Sequence, residues 1–261
     1  MNETHLYDQL GFTWRKPDLP EEPPGGTARA LFRYRQSLVA YVHDASALEG
    51  NPFTYPEVKT LMDGVTVGGH RIEDERQVLN LAASARELYR LIEKKQFRLV
   101  KQISDRLHEI VAKMEALEWG HFRGEGEETS LTPYVALGYD SYYPPPTEPG
   151  GGQLTKLYHG GLAALDEVRH PCERAMAYFL FVALHQFYFD GNKRTGRFMM
   201  NGELISKGWD AISVPATRAQ EFNELMVEFY QKLDGSDMMV FLYDCRPRDV
   251  PKQDQSKKPR P

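Results

Sequence analysis

The sequence predicts an all-α protein with one short β-hairpin. Two observations carry this prediction. Apolar residues recur at helical spacing through most of the chain, and residues 120–150 interrupt that spacing. Within this segment, residues 132–137 favour a short strand, residues 138–141 a turn, and residues 142–146 an extended exit. At 261 residues and 41% apolar composition, the chain is long enough for one well-filled domain.

The N-terminal half is predicted to be an arm followed by three helices. Residues 1–26 contain four prolines and a Gly-Gly pair, so we expect an extended arm. A helix should start at Thr27 and end before Gly50. Two more helices are predicted over residues 73–94 and 97–117, because each has apolar residues at helical spacing. The apolar positions of these three helices are Leu31, Tyr34, Leu38, Tyr41, Val42, Ala45 and Leu48, then Val78, Leu81, Ala85, Leu88 and Ile92, then Val100, Ile103, Leu107, Ile110 and Met114.

The C-terminal half is predicted to be helical up to a polar tail. Helices are expected over residues 153–168, 171–187, 194–207, 218–233 and 236–245. After Arg246 the composition changes to Pro, Lys, Gln and Asp, which predicts disorder. We therefore divide the chain into an arm (1–26), an N-terminal helical part (27–95), a core (96–245) and a disordered tail (246–261).

Composition argues against several classes of function. The net charge is −5 and the pI about 5.9, whereas proteins that bind nucleic acid in bulk carry a strongly basic face, so we expect no nucleic-acid partner. The longest uncharged apolar run is about ten residues, half of a membrane span, so we expect no membrane partner. The N-terminus lacks the basic start and apolar core of a signal peptide, and the two cysteines form no metal-type pair. These features are typical of a cytoplasmic protein.

The most informative segment is residues 185–197, with the sequence HQFYFDGNKRTGR. Apolar runs flank it on both sides, which predicts a buried helix, a polar turn and a second helix. Backbone N–H groups at the start of the second helix would point toward a ligand, so the turn is predicted to be an anion cradle. Lys193, Arg194 and Arg197 lie where the helix macrodipole disfavours cations, and we expect a polyanion to neutralise them. A solvated basic helix start is the alternative.

This segment resembles the signature of the Fic (filamentation induced by cAMP) family, His-x-Phe-x-(Asp/Glu)-(Gly/Ala)-Asn-(Gly/Lys)-Arg-x-x-Arg. The residues that fit it in type and order are His185, Phe187, Asp190, Gly191, Asn192, Lys193, Arg194 and Arg197. There are two departures. One extra residue separates His185 from Asp190, so Gln186 occupies the place that counting back from Asp190 gives to the histidine. Lys193 replaces a glycine common in the nucleotidylating members and is typical of the Doc branch, whose members resemble protein kinases in activity.

Two weaker segments agree with this resemblance. Glu49, within the sequence SALEGN, resembles the glutamate of the family's inhibitory helix. In the family this glutamate pairs with the second arginine, here Arg197, and blocks productive seating of the terminal phosphate. Residues 120–123, with the sequence GHFR, resemble the segment before the family's flap hairpin, which aligns a target chain by strand addition. A surface hairpin without a partner is the alternative. The flap residues assigned here are Val135, Ala136, Leu137 and Gly138.

The resemblance implies a role for each polar residue of the signature. His185 would take the proton from an incoming hydroxyl, which an imidazole can do near neutral pH. Asp190 would bind Mg²⁺ between the nucleotide phosphates, with an Asx turn or helix cap as the alternative. Gly191 permits close backbone approach, and Asn192 can donate its amide to a phosphate oxygen. The implied nucleotide-binding residues are Gly191, Asn192, Lys193, Arg194, Gly196 and Arg197.

The implied function is that of an auto-inhibited protein adenylyltransferase. ATP would be the co-substrate, Mg²⁺ the cofactor, and the partner a protein whose Ser, Thr or Tyr hydroxyl receives AMP. A homodimer is possible. One alternative is a Doc-like protein kinase that uses the same site, because Lys193 fills the glycine position. Another is a non-catalytic nucleotide-sensing module, because the extra residue at Phe189 could displace His185 from the line of attack.

Overall fold

The computed structural model describes residues 3–247, which form eleven α-helices and one small antiparallel sheet. The helices are α1 (Glu3–Leu10), α2 (Thr27–Gln36), α3 (Leu38–Ala47), α4 (Tyr55–Met62), α5 (Ile72–Glu93), α6 (Lys101–Val111), α7 (Gly152–Asp166), α8 (Pro171–His185), α9 (Asn192–Ser206), α10 (Ala219–Lys232) and α11 (Ser236–Asp244). The strands are β1 (Val135–Ala136) and β2 (Ser141–Tyr142), with Val135 opposite Tyr142. The described residues confirm the predicted all-α class with one β-hairpin.

Helices α8 and α9 form the centre of the core. Every residue of α8 from Ala175 to His185 is buried, and so is every residue of α9 from Arg194 to Ile205. A helix that is buried all round needs neighbours around its whole circumference. Helices α2, α5 and α6 contact α9, whereas α7 and α11 contact α8. This packing places the charged start of α9 inside the protein, within reach of the N-terminal helices.

The turn that carries Glu49 depends on how α2 and α3 end. The helix predicted to continue to Gly50 is divided at Ser37, whose hydroxyl donates to the Arg33 carbonyl oxygen at 3.0 Å and competes with the helix ladder. The second half, α3, ends at Ala47, and Gly50 follows with φ +74°, which glycine adopts without steric cost. Helix α3 packs on α5, and α5 contacts α9. The turn after α3 therefore lies beside the start of α9.

The arm predicted to be extended contains helix α1. Leu6 and Leu10 lie four residues apart, share one face of this helix and are both buried, which stabilises it against the core. The chain that follows α1 is fixed by backbone hydrogen bonds. The Thr13 N–H donates to the Leu233 carbonyl oxygen at 2.9 Å, and the Gly235 N–H donates to the Thr13 carbonyl oxygen at 2.8 Å. The arm is therefore part of the folded structure.

Two other elements differ from the prediction. Helix α4 was missed by the apolar spacing and starts at a capping box, in which the Glu57 carboxylate accepts the Thr54 N–H at 2.8 Å. Helix α6 is shorter than the predicted helix over residues 97–117. Phe97 lies before α6 and is buried against Gly202 of α9, where the absent side chain leaves room for the ring. Helical spacing alone could not indicate that contact.

Within residues 3–247, no helix combines the length and the apolar character needed to cross a bilayer. Of the tail predicted over residues 246–261, only Arg246 and Pro247 belong to the described residues, and the rest lies outside them. The division of the chain into arm, N-terminal helical part, core and tail stays a prediction.

Two adjacent glycines of α7 test the packing of α7 on α8. A Cβ atom on Gly161 would lie 2.2 Å from the ring of Phe181, which is fully buried, whereas a Cβ atom on Gly160 would meet the Gln9 side-chain oxygen at 3.1 Å. Gly161→Ala should lower the free energy of unfolding by about 1–3 kcal/mol through overpacking. The control, Gly160→Ala, should be neutral or stabilising by up to about 1 kcal/mol, because alanine favours a helix. Urea denaturation measures both, and equal stabilities would contradict this close packing.

Candidate functional site

The turn between α8 and α9 forms one wall of a cleft. Gly191 precedes α9 with φ +71°, and the Thr195 N–H donates to the Gly191 carbonyl oxygen at 2.8 Å. The N–H groups of residues 192–194 come before this bond, so the helix ladder does not satisfy them. Together with the positive end of the helix dipole they favour an anion. The cleft has a volume of about 250 Å³ and is lined by Glu49, Tyr134, Val135, Ala136, Gln186, Asp190, Gly191, Asn192, Lys193 and Arg194.

His108 of α6 holds this turn in place. Its Nδ1 accepts the Gly120 N–H at 3.0 Å, so the ring proton is on Nε2, which donates to the Asp190 carbonyl oxygen at 2.9 Å. The imidazole stacks on the Tyr188 ring with 3.7 Å between centroids. Burial lowers the pKa of His108 to about 3, so the ring stays neutral near pH 7 and keeps both hydrogen bonds. No sequence motif indicates His108, because only the packing of α6 on α9 brings it here.

Two residues of the signature have roles other than the expected ones. The Asn192 side chain is buried: its Oδ1 accepts the Tyr188 N–H at 2.9 Å, and its Nδ2 donates to the Tyr188 carbonyl oxygen at 2.8 Å and to Gln186 Oε1 at 3.0 Å. The amide therefore shapes the loop, and both of its hydrogens are already donated to loop atoms, not to a phosphate. Gly196 does not line the cleft. It faces α8, where a Cβ atom would lie 2.7 Å from Val182, and so allows α8 and α9 to pack closely.

Arg194 is buried at the start of α9, with 3% of its side chain exposed. Its Nη1 donates to Glu115 at 2.5 Å, its Nη2 donates to Asp190 at 3.0 Å, and its Nε lies 3.9 Å from Glu49. Burial lowers the pKa of Arg194, but these three carboxylates outweigh it and hold the pKa above its ordinary value. Glu115 follows α6 and has no place in the signature. Its role could not be predicted from the sequence.

Arg197 shares one of these carboxylates. Its Nη2 donates to Glu49 Oε1 at 2.9 Å, while its buried Nη1 has no partner among the described residues. Burial raises the pKa of Glu49, but the neighbouring cations, Arg197 above all, outweigh it and hold the pKa below its ordinary value. The carboxylate is therefore ionised at neutral pH. The ionised Glu49 carboxylate contributes fully to stability when the pH is above the ordinary glutamate pKa. This contribution is lost as the pH falls through the lowered pKa that Glu49 has in the folded protein.

The Asp190 carboxylate lies at the edge of the cleft, with 59% of the side chain exposed. Its Oδ1 accepts the Gly191 N–H at 2.6 Å and its Oδ2 accepts from Arg194 at 3.0 Å. Among residues 3–247, no three His, Cys, Asp or Glu side chains are grouped to hold a metal by themselves. Mg²⁺ commonly takes one or two carboxylates and completes its shell with phosphate oxygens and water. An exposed carboxylate beside an anion site fits that role.

His185 and Gln186 point to different places. The His185 Nε2 donates to the Leu10 carbonyl oxygen at 2.9 Å, and the ring packs beside Gly11 and does not line the cleft. Burial lowers the pKa of His185 to about 4, so the ring is neutral. Gln186 lines the cleft, where its Oε1 accepts from Asn192. The structure thus brings most of the signature residues together but leaves His185 outside.

The flap assigned from the sequence lies at the cleft. Val135 and Ala136 form β1 and line the cleft, whereas Leu137 packs partly buried against the core. Gly138 occupies the hairpin turn with φ +83°. The hairpin is closed by a hydrogen bond from the Leu137 N–H to the Asp140 carbonyl oxygen at 2.8 Å. Two of the four assigned flap residues therefore face the site directly.

Arg123 ties the flap to the end of α8. Its side chain is fully buried. Its Nε donates to the Gln186 carbonyl oxygen at 2.6 Å, its Nη1 to Thr147 Oγ1 at 2.7 Å, and its Nη2 to the Pro145 carbonyl oxygen at 2.5 Å. Burial lowers the pKa of Arg123 to about 10, which leaves it charged at neutral pH. The segment at residues 120–123 thus joins the cleft to the chain that leaves the hairpin.

Comparison with known proteins finds distant relatives that carry the same name. No family model matches the chain. Protein adenylyltransferase Fic of Culex quinquefasciatus is 23% identical over 223 residues, and that of Nematostella vectensis is 23% identical over 222 residues. The alignments cover 83% and 84% of this chain but 41% and 48% of the relatives. The chain therefore spans less than half the length of the curated relatives it matches.

Solved structures have the same fold. Fic-1 from C. elegans matches with a TM-score of 0.65 and 20% identity, over 93% of this chain and 66% of that one. A Fic domain containing signaling protein from Bacteroides thetaiotaomicron matches with a TM-score of 0.62 and 18% identity, over 94% and 89%. The chain therefore has the Fic fold. Within this Fic fold, the signature segment forms the cleft between the N-terminal helices and the flap.

The signature asparagine, Asn192, gives a test of the loop. Asn192→Asp replaces an N–H donor with a carboxylate, which leaves the buried Tyr188 carbonyl and the partly buried Gln186 Oε1 without their hydrogen bonds. The free energy of unfolding should fall by about 1–3 kcal/mol or more. The control is Asn223→Asp on the exposed face of α10, which should change it by less than about 0.5 kcal/mol. Thermal unfolding measures both variants; an unchanged Asn192→Asp would contradict the loop network.

Proposed function

We propose that this chain is a member of the Fic family and an auto-inhibited protein adenylyltransferase, which transfers AMP from ATP to a Ser, Thr or Tyr hydroxyl of a target protein. The observation that carries the proposal is the 2.9 Å pair between Glu49 and Arg197 at the cleft. It places a carboxylate on an arginine that an anionic ligand would otherwise engage. Relatives named protein adenylyltransferase Fic support the reaction class. The chain spans less than half of the length of these relatives, and AMP transfer by this chain is our proposal.

ATP would bind through its phosphates. The N–H groups of residues 192–194 would contact phosphate oxygens, as helix N-termini commonly do. Arg197 would hold the outermost phosphate once Glu49 moves away, and the buried Nη1 that lacks a partner among the described residues supports this role. Arg194 would stay bound to Glu115 and keep the loop in shape.

Asp190 would hold Mg²⁺ together with phosphate oxygens, and the bound ion would neutralise part of their charge. The carboxylate is suited to this because it is exposed at the cleft and already oriented by the Gly191 N–H. Arg194 would keep its contact with the same carboxylate. A metal bound here therefore depends on the nucleotide for most of its ligands.

In the proposed reaction the target hydroxyl oxygen forms a bond to the α-phosphorus of ATP. The bond from that phosphorus to the bridging oxygen breaks, and pyrophosphate leaves. Cations and N–H groups at the start of α9 would stabilise the charge that develops on the transferred group. The target would reach the cleft along β1, because a peptide that adds to this strand by backbone hydrogen bonds lies beside Val135 and Ala136. A cytoplasmic location and a homodimer stay predictions.

Two alternatives use the same cleft. A Doc-like protein kinase is favoured by Lys193, which lines the cleft at the position that is glycine in many nucleotidylating members. A non-catalytic nucleotide-sensing module is favoured by His185, whose ring lies away from the cleft. The three functions differ in which phosphorus atom of ATP, if any, becomes attached to protein.

The proposal predicts that Glu49→Gly activates the chain. Without the carboxylate, Arg197 can engage the terminal phosphate, so ATP should bind about tenfold more tightly, which corresponds to about 1.4 kcal/mol. Incubation with α-labelled ATP should label protein more strongly for Glu49→Gly than for the wild type, and γ-labelled ATP should leave protein unlabelled. Calorimetry gives the affinity and gel autoradiography the labelling. Glu93→Gln, an exposed glutamate at the end of α5, is the control and should behave like the wild type.

Other outcomes separate the alternatives. Protein labelled from γ-labelled ATP, with loss of that label in Lys193→Gly, would identify a kinase. ATP binding without either label would identify a sensor. A Glu49→Gly variant that is folded by circular dichroism yet binds ATP no better than the wild type would contradict the inhibitory role of Glu49.

A further inference from the structure

We infer that Gln186, and not His185, occupies the position in the cleft from which a side chain would act on the attacking hydroxyl. The cleft therefore transfers AMP without an imidazole base and does so slowly. This inference rests on the proposed function and adds to it the residue that limits its rate. It also assigns His185 a structural role at the junction of α8 with α1.

The side chains of Gln186 and His185 lie in different places. Gln186 is among the residues that line the cleft, and its Oε1 is hydrogen-bonded to Asn192 of the anion-binding turn. The His185 ring is buried under α1, with Nε2 bound to the Leu10 carbonyl oxygen and Nδ1 without a partner in the described part. Successive residues of a helix point about 100° apart, so a shift of one position turns a side chain out of the cleft. For His185 to reach the cleft, the end of α8 would have to unwind.

The backbone at Gln186 is held in place by hydrogen bonds. Gln186 has φ +47°, a left-handed conformation that is sterically unfavourable for a residue with a Cβ and therefore needs support from its surroundings. Its carbonyl oxygen accepts from Arg123 at 2.6 Å, and its side-chain Nε2 donates to the Ala183 carbonyl oxygen at 2.6 Å. These bonds to buried groups hold α8 in the register seen here. A rearrangement that exchanged the two side chains would break all of them.

The described residues that line the cleft offer no free group that could take a proton at neutral pH. None of them, within the described chain, is a histidine. The two carboxylates there are already engaged, Glu49 by Arg197 and Asp190 by Arg194. A glutamine amide can orient a hydroxyl by a hydrogen bond but cannot accept its proton at neutral pH. In the wild type the hydroxyl proton must therefore pass to water as the oxygen–phosphorus bond forms and pyrophosphate leaves.

The test places an imidazole in the cleft. Gln186→His, made in the Glu49→Gly chain, should raise the initial rate of α-label transfer about 10²-fold or more, the usual contribution of a general base. The rate should also rise with pH through about 6.5 as the new imidazole loses its proton, a profile that a structural effect would not give. His185→Gln in the same chain keeps an N–H donor for Leu10 and should leave the transfer rate within about twofold of its parent, well below the loss expected on removing a base.

Calorimetry of ATP binding to the same proteins distinguishes a failure of the proposed function from a failure of the inference about Gln186. If none of these folded chains binds ATP, the proposed function fails and the inference fails with it. If ATP binds to all of them but Gln186→His gives no faster transfer, the inference is overturned while the proposed function stands. It is equally overturned if His185→Gln loses most of the activity with ATP affinity intact, because His185 would then be the base.

Discussion

The need to compensate two buried guanidinium groups at the start of α9 organises this protein. Arg194 and Arg197 keep only 3% and 4% of their surface exposed, at the end of a helix where the dipole already disfavours cations. Leaving such a charge unpaired in the interior costs several kcal/mol. The compensating carboxylates come from three separate places: Glu49 after α3, Glu115 after α6, and Asp190 in the loop before α9. Charge pairing therefore fixes the position of the N-terminal helices on the core.

The same requirement links folding to the proposed regulation. A buried arginine needs an anionic partner in the folded state, and that partner can be either a carboxylate of the chain or a phosphate of a ligand. Arg194 is surrounded by carboxylates and serves the structure, whereas Arg197 has one carboxylate and a buried Nη1 with no partner among residues 3–247. The proposed regulation is a competition between Glu49 and a terminal phosphate for Arg197.

The sequence predicts those parts of the structure that local spacing determines. Helices α5, α7, α8 and α9 agree with their predicted ranges within a few residues because their apolar periodicity is long and regular. The expected pairing of Glu49 with Arg197 is present, although its effect on activity stays a prediction. Prediction was poorest where the outcome depends on a contact distant in sequence. Phe97 leaves the helical path to fill the space beside Gly202, and His108 and Glu115 reach the site through the packing of α6.

The position of the signature histidine also depends on contacts that are distant in sequence, so the sequence alone could not predict it. Residue type and order assign the histidine position of the signature to His185, whereas counting four residues back from Asp190 assigns it to Gln186. No rule of local structure decides between the two assignments. The decision comes from the end of α8, where Arg123 and Ala183 hold Gln186 in the cleft and the Leu10 carbonyl oxygen holds His185 outside it. The segment from Gln186 to Asp190 thus keeps the spacing of the signature, and Gln186 is the side chain that lines the cleft.

The central claim, that Glu49 and the terminal phosphate compete for Arg197, is tested most directly by a double-mutant cycle on the dissociation constant of ATP. Calorimetry would be performed on the wild type, Glu49→Gln, Arg197→Gln and the double variant, all with Mg²⁺ present. The account predicts that Glu49→Gln tightens ATP binding about tenfold when Arg197 is present and changes it less than about twofold when Arg197 is glutamine, a coupling of about 1 kcal/mol or more. Equal tightening in both backgrounds would contradict it, because Glu49 would then act without Arg197.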